Sequence, residues 1–473
     1  MNVIVQTRPS TAPTRNPWIT VTMLLMGVFV VGANATMVNV AIQPTTESLG
    51  ASLSGSLWIV NAYLLAFVSL LPVSGRLGDL YGPKLLQLLG LASFTAGSVL
   101  GFLAPDVGWL VFGRAVQGLG AALVTPQAIA MIARIFPAER RGRVFGVWGV
   151  VAGLAVAAGP MLGGLVVSTL GWRWIYGAAG LVAAVAFAFS FVWLPNLVSV
   201  RRPRLDLLGT VLLTAALSLV VFGLIEGEPR QWAEPIGAII AVGLGIFVVF
   251  AVVQFQRRDR EPLVPLAVLR SPGFALMSAV GAALTCSVTA MVFLTAIYLQ
   301  SVAGLSAFEA GLIIAVAPMI SLPFAWLSGW LTDRYGGFLP LLSGLLLMTA
   351  GLAGLPLALT NWQGLVAALT VFGVGMGIVY APPGTLAMAH IDPALAGAAS
   401  GTMNTLRALG NSLTSAVVAA WLQIRLANVP TGLRIASSGL TTALEGTYWI
   451  PVVALAAATL ACGVRVRTLS GRG

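Results

Sequence analysis

Two short charged turns contain the residues of this chain whose types and spacing point most clearly to a chemical role. The runs G-R-L-G-D-L-Y-G-P-K at residues 75–84 and G-W-L-T-D-R-Y-G-G at residues 329–337 each lie between two long apolar stretches. In both runs an aspartate stands between two glycines at the same spacing. Glycine allows a tight turn and a close backbone approach, and the carboxylate can face basic side chains or the N-terminus of a helix. The pattern predicts two equivalent turns between adjacent helices.

Two arginines lie inside apolar runs of the sequence. Arg114 stands in R-A-V-Q-G-L-G-A and Arg407 stands in N-T-L-R-A-L-G-N. A charge at the centre of a membrane helix costs ~2.5 to 3.5 kcal/mol on insertion scales, so Arg114 is predicted to face a cavity or a partner. Arg407 has two interpretations: the same role, or a side chain that extends to the membrane interface.

Groups for covalent or metal chemistry are scarce. His390, beside Asp392, is the only histidine, and it is interpreted either as a solvated helix-end residue or as a pH sensor. Cys286 and Cys462 lie in separate apolar segments, so neither a disulfide framework nor a metal site is predicted. No phosphate-binding G-x-x-x-x-G-K loop occurs. We therefore expect no cofactor and no metal, and an enzyme is disfavoured because no acid–base pair can be assembled.

Composition places the elements that carry these residues in a bilayer. Of 473 residues, 58% are hydrophobic and 8% are charged, and the mean hydropathy is +0.96. Fourteen apolar segments approach the ~20 residues that a membrane helix needs. They are residues 18–42, 54–74, 85–104, 108–133, 144–168, 174–194, 207–226, 236–255, 274–298, 307–331, 339–358, 364–388, 398–422 and 448–465. The expected fold is an all-α integral membrane protein.

The distribution of basic residues predicts the orientation. The net charge is +11, and with the N-terminus inside, nineteen of the 25 basic residues fall on the cytoplasmic side, four fall outside, and Arg114 and Arg407 lie within spans. The positive-inside rule then predicts an even number of spans with both termini cytoplasmic. Membrane lipids with anionic headgroups are the expected partners of this charge, and nucleic acid is not.

The two halves of the chain repeat one another. The charged turns are offset by 254 residues, and a second set of matches is offset by 257. That second set pairs Gly118, Gly120, Pro126 and Met131 with Gly375, Gly377, Pro383 and Met388. The predicted organisation is an N-terminal six-helix bundle in residues 1–200, two inserted helices with their linkers in residues 201–272, and a C-terminal six-helix bundle in residues 273–473.

These motifs together resemble the major facilitator superfamily, and within it the fourteen-span branch of bacterial drug:proton antiporters. Further runs that support the resemblance are W-I-V-N-A-Y at residues 58–63, F-P-A-E-R-R-G-R at 136–143, G-P-M-L-G-G at 159–164, G-W-R-W-I at 171–175 and Y-L-Q at 298–300. The resemblance implies the major facilitator fold with two extra helices between its six-helix repeats. It also implies a multi-pass protein of the inner membrane that exports drug-like or antibiotic small molecules by proton antiport.

Residue roles follow from the same resemblance. The gating-loop residues are Gly75, Asp79, Gly82, Lys84, Gly329, Asp333 and Arg334. The antiporter hinge consists of Gly159, Pro160, Gly163 and Gly164. Candidates for the substrate cavity and for coupling are Asn34, Thr36, Asn39, Asn61, Tyr63, Arg114, Gln117, Met376, Tyr380 and Arg407. A monomer is expected.

One departure from the family pattern affects the expected coupling. The first span of the family carries D-x-T-x-V-N-V-A, and here the matching run is N-A-T-M-V-N-V-A, beginning at Asn34. An amide neither exchanges a proton at physiological pH nor supplies a full counter-charge. The remaining acids considered, Asp79, Asp206, Glu226 and Glu309, fall at helix ends or loops. A facilitator or lipid-type transporter without proton coupling through the first span therefore stays open beside the antiporter.

Overall fold

The chain folds into a bundle of long helices. The computed structural model describes residues 17–51, 53–197, 206–227, 234–256, 268, 271–305, 307–359, 362–389, 391–392, 395–427 and 437–470, and no strand occurs among them. The first six helices are α1 (Pro17–Leu49), α2 (Leu53–Tyr81), α3 (Pro83–Phe102), α4 (Val107–Ile135), α5 (Ala138–Leu170) and α6 (Arg173–Trp193). They are followed by α7 (Leu207–Gly227) and α8 (Glu234–Gln256).

The second half repeats this arrangement with two interrupted helices. Its elements are α9 (Pro272–Ile297) with a π-helical turn (Tyr298–Val302), α10 (Ala307–Ile314), α11 (Val316–Tyr335), α12 (Phe338–Leu357), α13 (Trp362–Ile378), α14 (Pro382–Met388), α15 (Ala396–Ala427) and α16 (Ser437–Ser470). Only Ala315 separates α10 from α11, and residues 379–381 separate α13 from α14. Pro382 and Pro383 at the start of α14 account for the second interruption, because proline cannot donate the backbone hydrogen bond that continues a helix.

Apolar composition explains why these segments are helical. In hydrocarbon, every backbone N–H and C=O group must be paired within the protein, and a helix achieves this within one segment. Twelve helical segments among the described residues are long and apolar enough to cross a membrane. This is fewer than the fourteen predicted from the sequence. α5 and α15 are the two that are missing: parts of both lie outside the residues whose side chains are described, and Arg407 and several amides interrupt α15.

The inserted helices α7 and α8 pack against each other, and α7 also packs against α2. Gly243 of α8 lies against Val220 of α7. The Ser218 hydroxyl of α7 donates to the Ser69 hydroxyl of α2 over 2.9 Å. α8 exposes most of its apolar side chains. The pair thus lies at the periphery of the bundle.

The two halves make their largest contacts along two pairs of helices. α2 of the first half packs on α15 of the second, and α5 of the first half packs on α11 of the second. Both contacts include the ends of the helices near the α2–α3, α4–α5 and α11–α12 turns, and we call this end of the bundle the motif end. The charged turns predicted from the sequence therefore lie at the interface between the halves.

Candidate functional site

Asp79 joins the end of α2 to the beginning of α15. Its Oδ1 accepts the backbone N–H of Gly397 over 2.9 Å, and its Oδ2 accepts that of Ala398 over 2.8 Å. Arg134, at the end of α4, donates to Asp79 Oδ1 over 2.5 Å. The carboxylate is fully buried. Because the free N–H groups of a helix N-terminus carry partial positive charge, a buried carboxylate is well placed here.

Asp333 makes the equivalent contact between α11 and α5. Its two carboxylate oxygens accept the backbone N–H groups of Gly142 over 2.9 Å and Arg143 over 3.1 Å. The Arg143 guanidinium lies 3.5 Å from the carboxylate but is mostly exposed. Asp79 therefore binds the N-terminus of α15, Asp333 binds backbone N–H groups in the second turn of α5, and the ion pair at Asp79 is the more deeply buried of the two.

The glycines of both motifs serve close helix contact and tight turns. A Cβ atom on Gly75 would overlap the Gly397 carbonyl oxygen, and one on Gly329 would lie 2.7 Å from the Gly142 carbonyl oxygen. Gly82 and Gly336 have φ angles of 91° and 76°, which favour glycine, and they form the turns that follow α2 and α11.

Lys84 and Arg334 of the two turns lie close to aromatic rings. The Lys84 ammonium is 5.9 Å from the centre of the Phe191 ring. Arg334 is exposed, and its guanidinium lies 5.1 Å from the Trp330 ring. The cations that form ion pairs with the two aspartates are Arg134 and Arg143, which precede and follow the α4–α5 turn. The buried Arg76 of the first turn also acts electrostatically on Asp79.

Sequence reasoning missed the partners of these motifs on α5 and α15. Gly142 and Gly146 on α5 contact Gly329, and Gly397 and Gly401 on α15 contact Gly75. Both pairs have the four-residue spacing of small residues that is typical of close helix contacts in membranes. This four-residue spacing of glycines is the sequence signal that could have identified the partners.

Arg114 is the centre of a buried polar network in the first half. Its Nε donates to the Ile59 carbonyl over 2.9 Å, and its Nη1 donates to Asn34 Oδ1 over 2.7 Å and to Gln117 Oε1 over 2.8 Å. The guanidinium lies 4.3 Å from the centre of the Tyr63 ring, a cation–π distance. We call these five residues the Arg114 network.

Within the described chain, no carboxylate pairs with Arg114. All of its hydrogen-bond acceptors are neutral oxygens. The Asn34 amide nitrogen is buried and has no hydrogen-bond partner among the described residues. The amide at position 34 thus leaves a buried cation uncompensated, and it also carries an unused donor that a carboxylate would not have.

A second polar region lines a central cavity of about 390 Å³ between the halves. Its walls come from α2, α4 and α5 on one side and from α9, α12, α13, α14 and α15 on the other. The lining residues are Leu64, Phe67, Val68, Thr125, Trp148, Gly281, Leu284, Thr285, Val288, Met348, Met376, Val379, Tyr380, Pro383, Asn404, Arg407, Ala408 and Asn411. The cavity is mostly apolar with a few polar groups, and its volume is in the range of small-molecule sites.

The structure divides the residues predicted for the cavity into two groups. Met376, Tyr380 and Arg407 line it. The Arg114 network lies apart from it, because its polar groups hydrogen-bond to one another inside the first half. Two further residues, Thr36 and Asn61, are half-buried and are also absent from the cavity wall.

For three of the predicted site residues, the described part of the chain includes either nothing or only the backbone. His390 is outside it, as are the side chains of Asn39 and Pro160. Their predicted roles stay predictions.

The sequence profile of the Major Facilitator Superfamily matches residues 24–415. The chain belongs to this superfamily. It is therefore a membrane transporter and not an enzyme, as the sequence predicted. An uncharacterised MFS-type transporter of Mycobacterium tuberculosis, Rv1250, is 34% identical to it, covering 87% of this chain and 72% of that protein.

Two further superfamily relatives have names that refer to resistance. The multidrug resistance protein Stp of Mycobacterium tuberculosis is 31% identical, covering 85% of this chain and 76% of that protein. The tetracenomycin C resistance and export protein of Streptomyces glaucescens is 30% identical, covering 89% and 79% respectively. A crystal structure of the human transporter MFSD10 superposes with a TM-score of 0.66 at 15% identity, covering 93% of this chain and all of that one, which shows a shared fold.

In this superfamily member, the predicted hinge packs α5 tightly on α1. A Cβ atom on Gly159 would overlap the Thr36 hydroxyl, and one on Gly163 would lie 3.3 Å from the backbone of Met37. A Cβ atom on Gly164 would meet nothing within 4 Å. Only two of the three glycines therefore serve a close contact.

We expect Gly159→Ala to lower the stability of the protein by about 1–3 kcal/mol, because the added methyl overpacks the α1–α5 contact. Gly164→Ala is the matched control, since it adds the same methyl to the same helix in open space. Thermal unfolding of the purified variants in detergent measures the difference. Equal melting temperatures for the two variants would show that the α1–α5 contact can relax around the methyl.

Proposed function

We propose that the chain exports drug-like or antibiotic small molecules across the inner membrane by alternating access. The observation that carries this proposal is the mostly apolar central cavity between two homologous halves, with the halves bound to each other at the motif end. Resistance and export in the names of the relatives support the direction of transport. A monomer is sufficient for this function, because one chain contributes both walls of the cavity.

Fourteen spans and cytoplasmic termini belong to the same proposal. α5 and α15 have 33 and 32 residues, more than the ~20 that cross a bilayer. Counting α5 and α15 as spans raises the number of membrane spans from twelve to fourteen. Residues 1–200 and 273–473 then each form a six-helix bundle. The motif end carries Arg134, Arg140, Arg141 and Arg143, which supports its assignment to the cytoplasmic side.

The topology can be tested with reporter fusions. A reporter after Gly473 is expected to lie in the cytoplasm, and one inserted at Glu228, between α7 and α8, is expected to lie outside. Alkaline phosphatase and green fluorescent protein activities at both sites measure this. An external C-terminus would contradict fourteen spans.

In this orientation, the closed motif end would belong to the outward-facing half of the cycle. Asp79 and Asp333 hold α15 and α5 against α2 and α11, and these contacts close the cytoplasmic end. Substrate entry from the cytoplasm then requires both contacts to break. Because each joins opposite halves, the two can act as one two-state gate.

The proposed export has two candidate mechanisms of energy coupling. Proton antiport, which the family resemblance implies, would draw on a proton entering down a 100 mV potential, worth about 2.3 kcal/mol. Facilitated export without proton exchange is favoured by the neutral acceptors around Arg114 and by the absence of carboxylates among the described residues of the cavity wall. If protons are coupled, the buried Asp79 is the best placed carboxylate.

We expect Asn34→Asp to increase the dependence of transport on a pH gradient at least threefold. The new carboxylate would lie within hydrogen-bond distance of Arg114 Nη1, so it adds a titratable counter-charge to a site that has none. Uptake of a lipophilic cation and of a neutral antibiotic into inverted vesicles, with and without a collapsed gradient, measures the change.

The same assay tests the proposed function. Saturable uptake by the wild type supports export, and its response to the gradient separates antiport from facilitation. No uptake of either compound by well-folded protein would refute export of cationic and neutral drugs. Full gradient dependence in the wild type, unchanged by Asn34→Asp, would move the coupling site away from position 34.

A further inference from the structure

The central cavity has one positive charge and no negative charge in its described wall. Arg407 is the only charged residue among those that line it. No carboxylate of the described chain forms an ion pair with Arg407. A cation with no carboxylate to pair with is costly inside a membrane protein, so a compensating anion in the cavity would be favourable.

The Arg407 guanidinium occupies a defined position in the cavity wall. Asn404, Arg407 and Asn411 follow one another at helical spacing on the cavity face of α15. On α9, Gly281 leaves room for the side chain, because a Cβ atom there would lie 2.6 Å from Arg407 Nε. A side chain free to extend to the membrane interface would need no such space.

The rest of the wall suits an aromatic or aliphatic body. Met348, Met376 and Phe67 are apolar, and methionine adapts to irregular shapes. Trp148 adds an indole N–H that has no hydrogen-bond partner among the described residues. A ligand with an apolar body and an acidic group would match both the body of the cavity and its unpaired donors.

We propose that the central cavity binds amphipathic organic anions, such as carboxylates or phenolates, with Arg407 as the residue that pairs with the acid group. This proposal rests on the proposed export function for its direction. It also gives that function an energy source, since the inside-negative potential drives an anion outward. At 100 mV, a monovalent anion could be sustained at a roughly 40-fold gradient without proton exchange.

Three naphthalene compounds of similar size test the charge preference. They are 1-naphthaleneacetate, its neutral amide 1-naphthaleneacetamide, and the cation 2-(1-naphthyl)ethylammonium. Equilibrium binding of each radiolabelled compound to the full-length protein in nanodiscs, with empty nanodiscs as background, gives three dissociation constants. We expect the acetate to bind at least tenfold more tightly than the amide, and the ammonium compound most weakly.

Three substitutions test the assignment to Arg407. Arg407→Gln is expected to remove the preference for the acetate while amide binding changes less than about twofold, and Arg407→Lys is expected to retain part of it. Gly281→Ala, which displaces the guanidinium without removing it, should weaken acetate binding selectively. Arg425→Gln, which removes an exposed cation from the same helix, is the control and should bind all three compounds as the wild type does.

The results distinguish a failure of the anion site from a failure of the export function. Equal affinity of the wild type for the three compounds, or tighter binding of the ammonium compound, would overturn the anion site. A preference that survives Arg407→Gln would overturn the role of Arg407. Export is tested independently by acetate uptake into inverted vesicles under an imposed potential: selective binding without uptake would refute export and leave the anion site intact.

Discussion

Replacing Asp79 by asparagine is expected to lower the transport rate at least tenfold and to leave substrate affinity within about twofold. The asparagine has one acceptor oxygen and no charge, so it cannot accept from both Gly397 and Ala398 and also pair with Arg134. Hydrogen bonds to charged groups contribute about 1.5–3 kcal/mol, which corresponds to roughly tenfold or more in the balance between gate states. Asp79 does not line the central cavity, so we expect the substitution to leave substrate binding unchanged.

Asp333→Asn is the matched comparison, because Asp333 makes the same two backbone contacts but pairs with a mostly exposed arginine. Exposed ion pairs contribute less than buried ones, so we expect a loss of about threefold. Substrate flux in proteoliposomes and binding in nanodiscs, measured on the same preparations, separate turnover from affinity. A large loss of binding with unchanged turnover in Asp79→Asn would contradict the gating role.

Replacing Arg114 by alanine is expected to reduce flux at least a hundredfold. The substitution leaves the Ile59 carbonyl and the side-chain oxygens of Asn34 and Gln117 without their donor. A buried polar group left unpaired costs about 1–3 kcal/mol, and these acceptors belong to helices α1, α2 and α4. The loss therefore loosens the packing of three helices of the N-terminal half.

Arg173→Ala is the control for this experiment. Arg173 also donates to a backbone carbonyl, that of Ala104, and lies over a ring, that of Trp172, but at the beginning of α6. Arg114→Lys keeps the charge and cannot make all three contacts, so we expect it to resemble the alanine variant. Unfolding temperature and size-exclusion profile show whether loss of flux follows loss of fold. Unchanged flux in a folded Arg114→Ala protein would reduce Arg114 to a packing residue.

Much of the architecture could be predicted because it depends on local composition. Apolar runs of about 20 residues indicate membrane helices wherever they occur, and a repeated motif reveals a repeated half. The turn glycines at positions 82 and 336 were predictable for the same local reason, since a positive φ angle favours glycine. The sequence also showed that position 34 holds an amide, which bears on coupling and on substrate charge.

Contacts between distant segments could not be predicted. Asp79 was expected to face a cation or a helix N-terminus, but its partner Gly397 lies 318 residues away. Arg114 was predicted to face a cavity or a partner and Arg407 had two interpretations, yet Arg114 lies in a closed network of the first half and Arg407 lines the cavity. Whether a buried charge pairs with protein or faces a cavity depends on which helices meet around it. That is decided by packing between segments far apart in the chain, which composition and spacing do not encode.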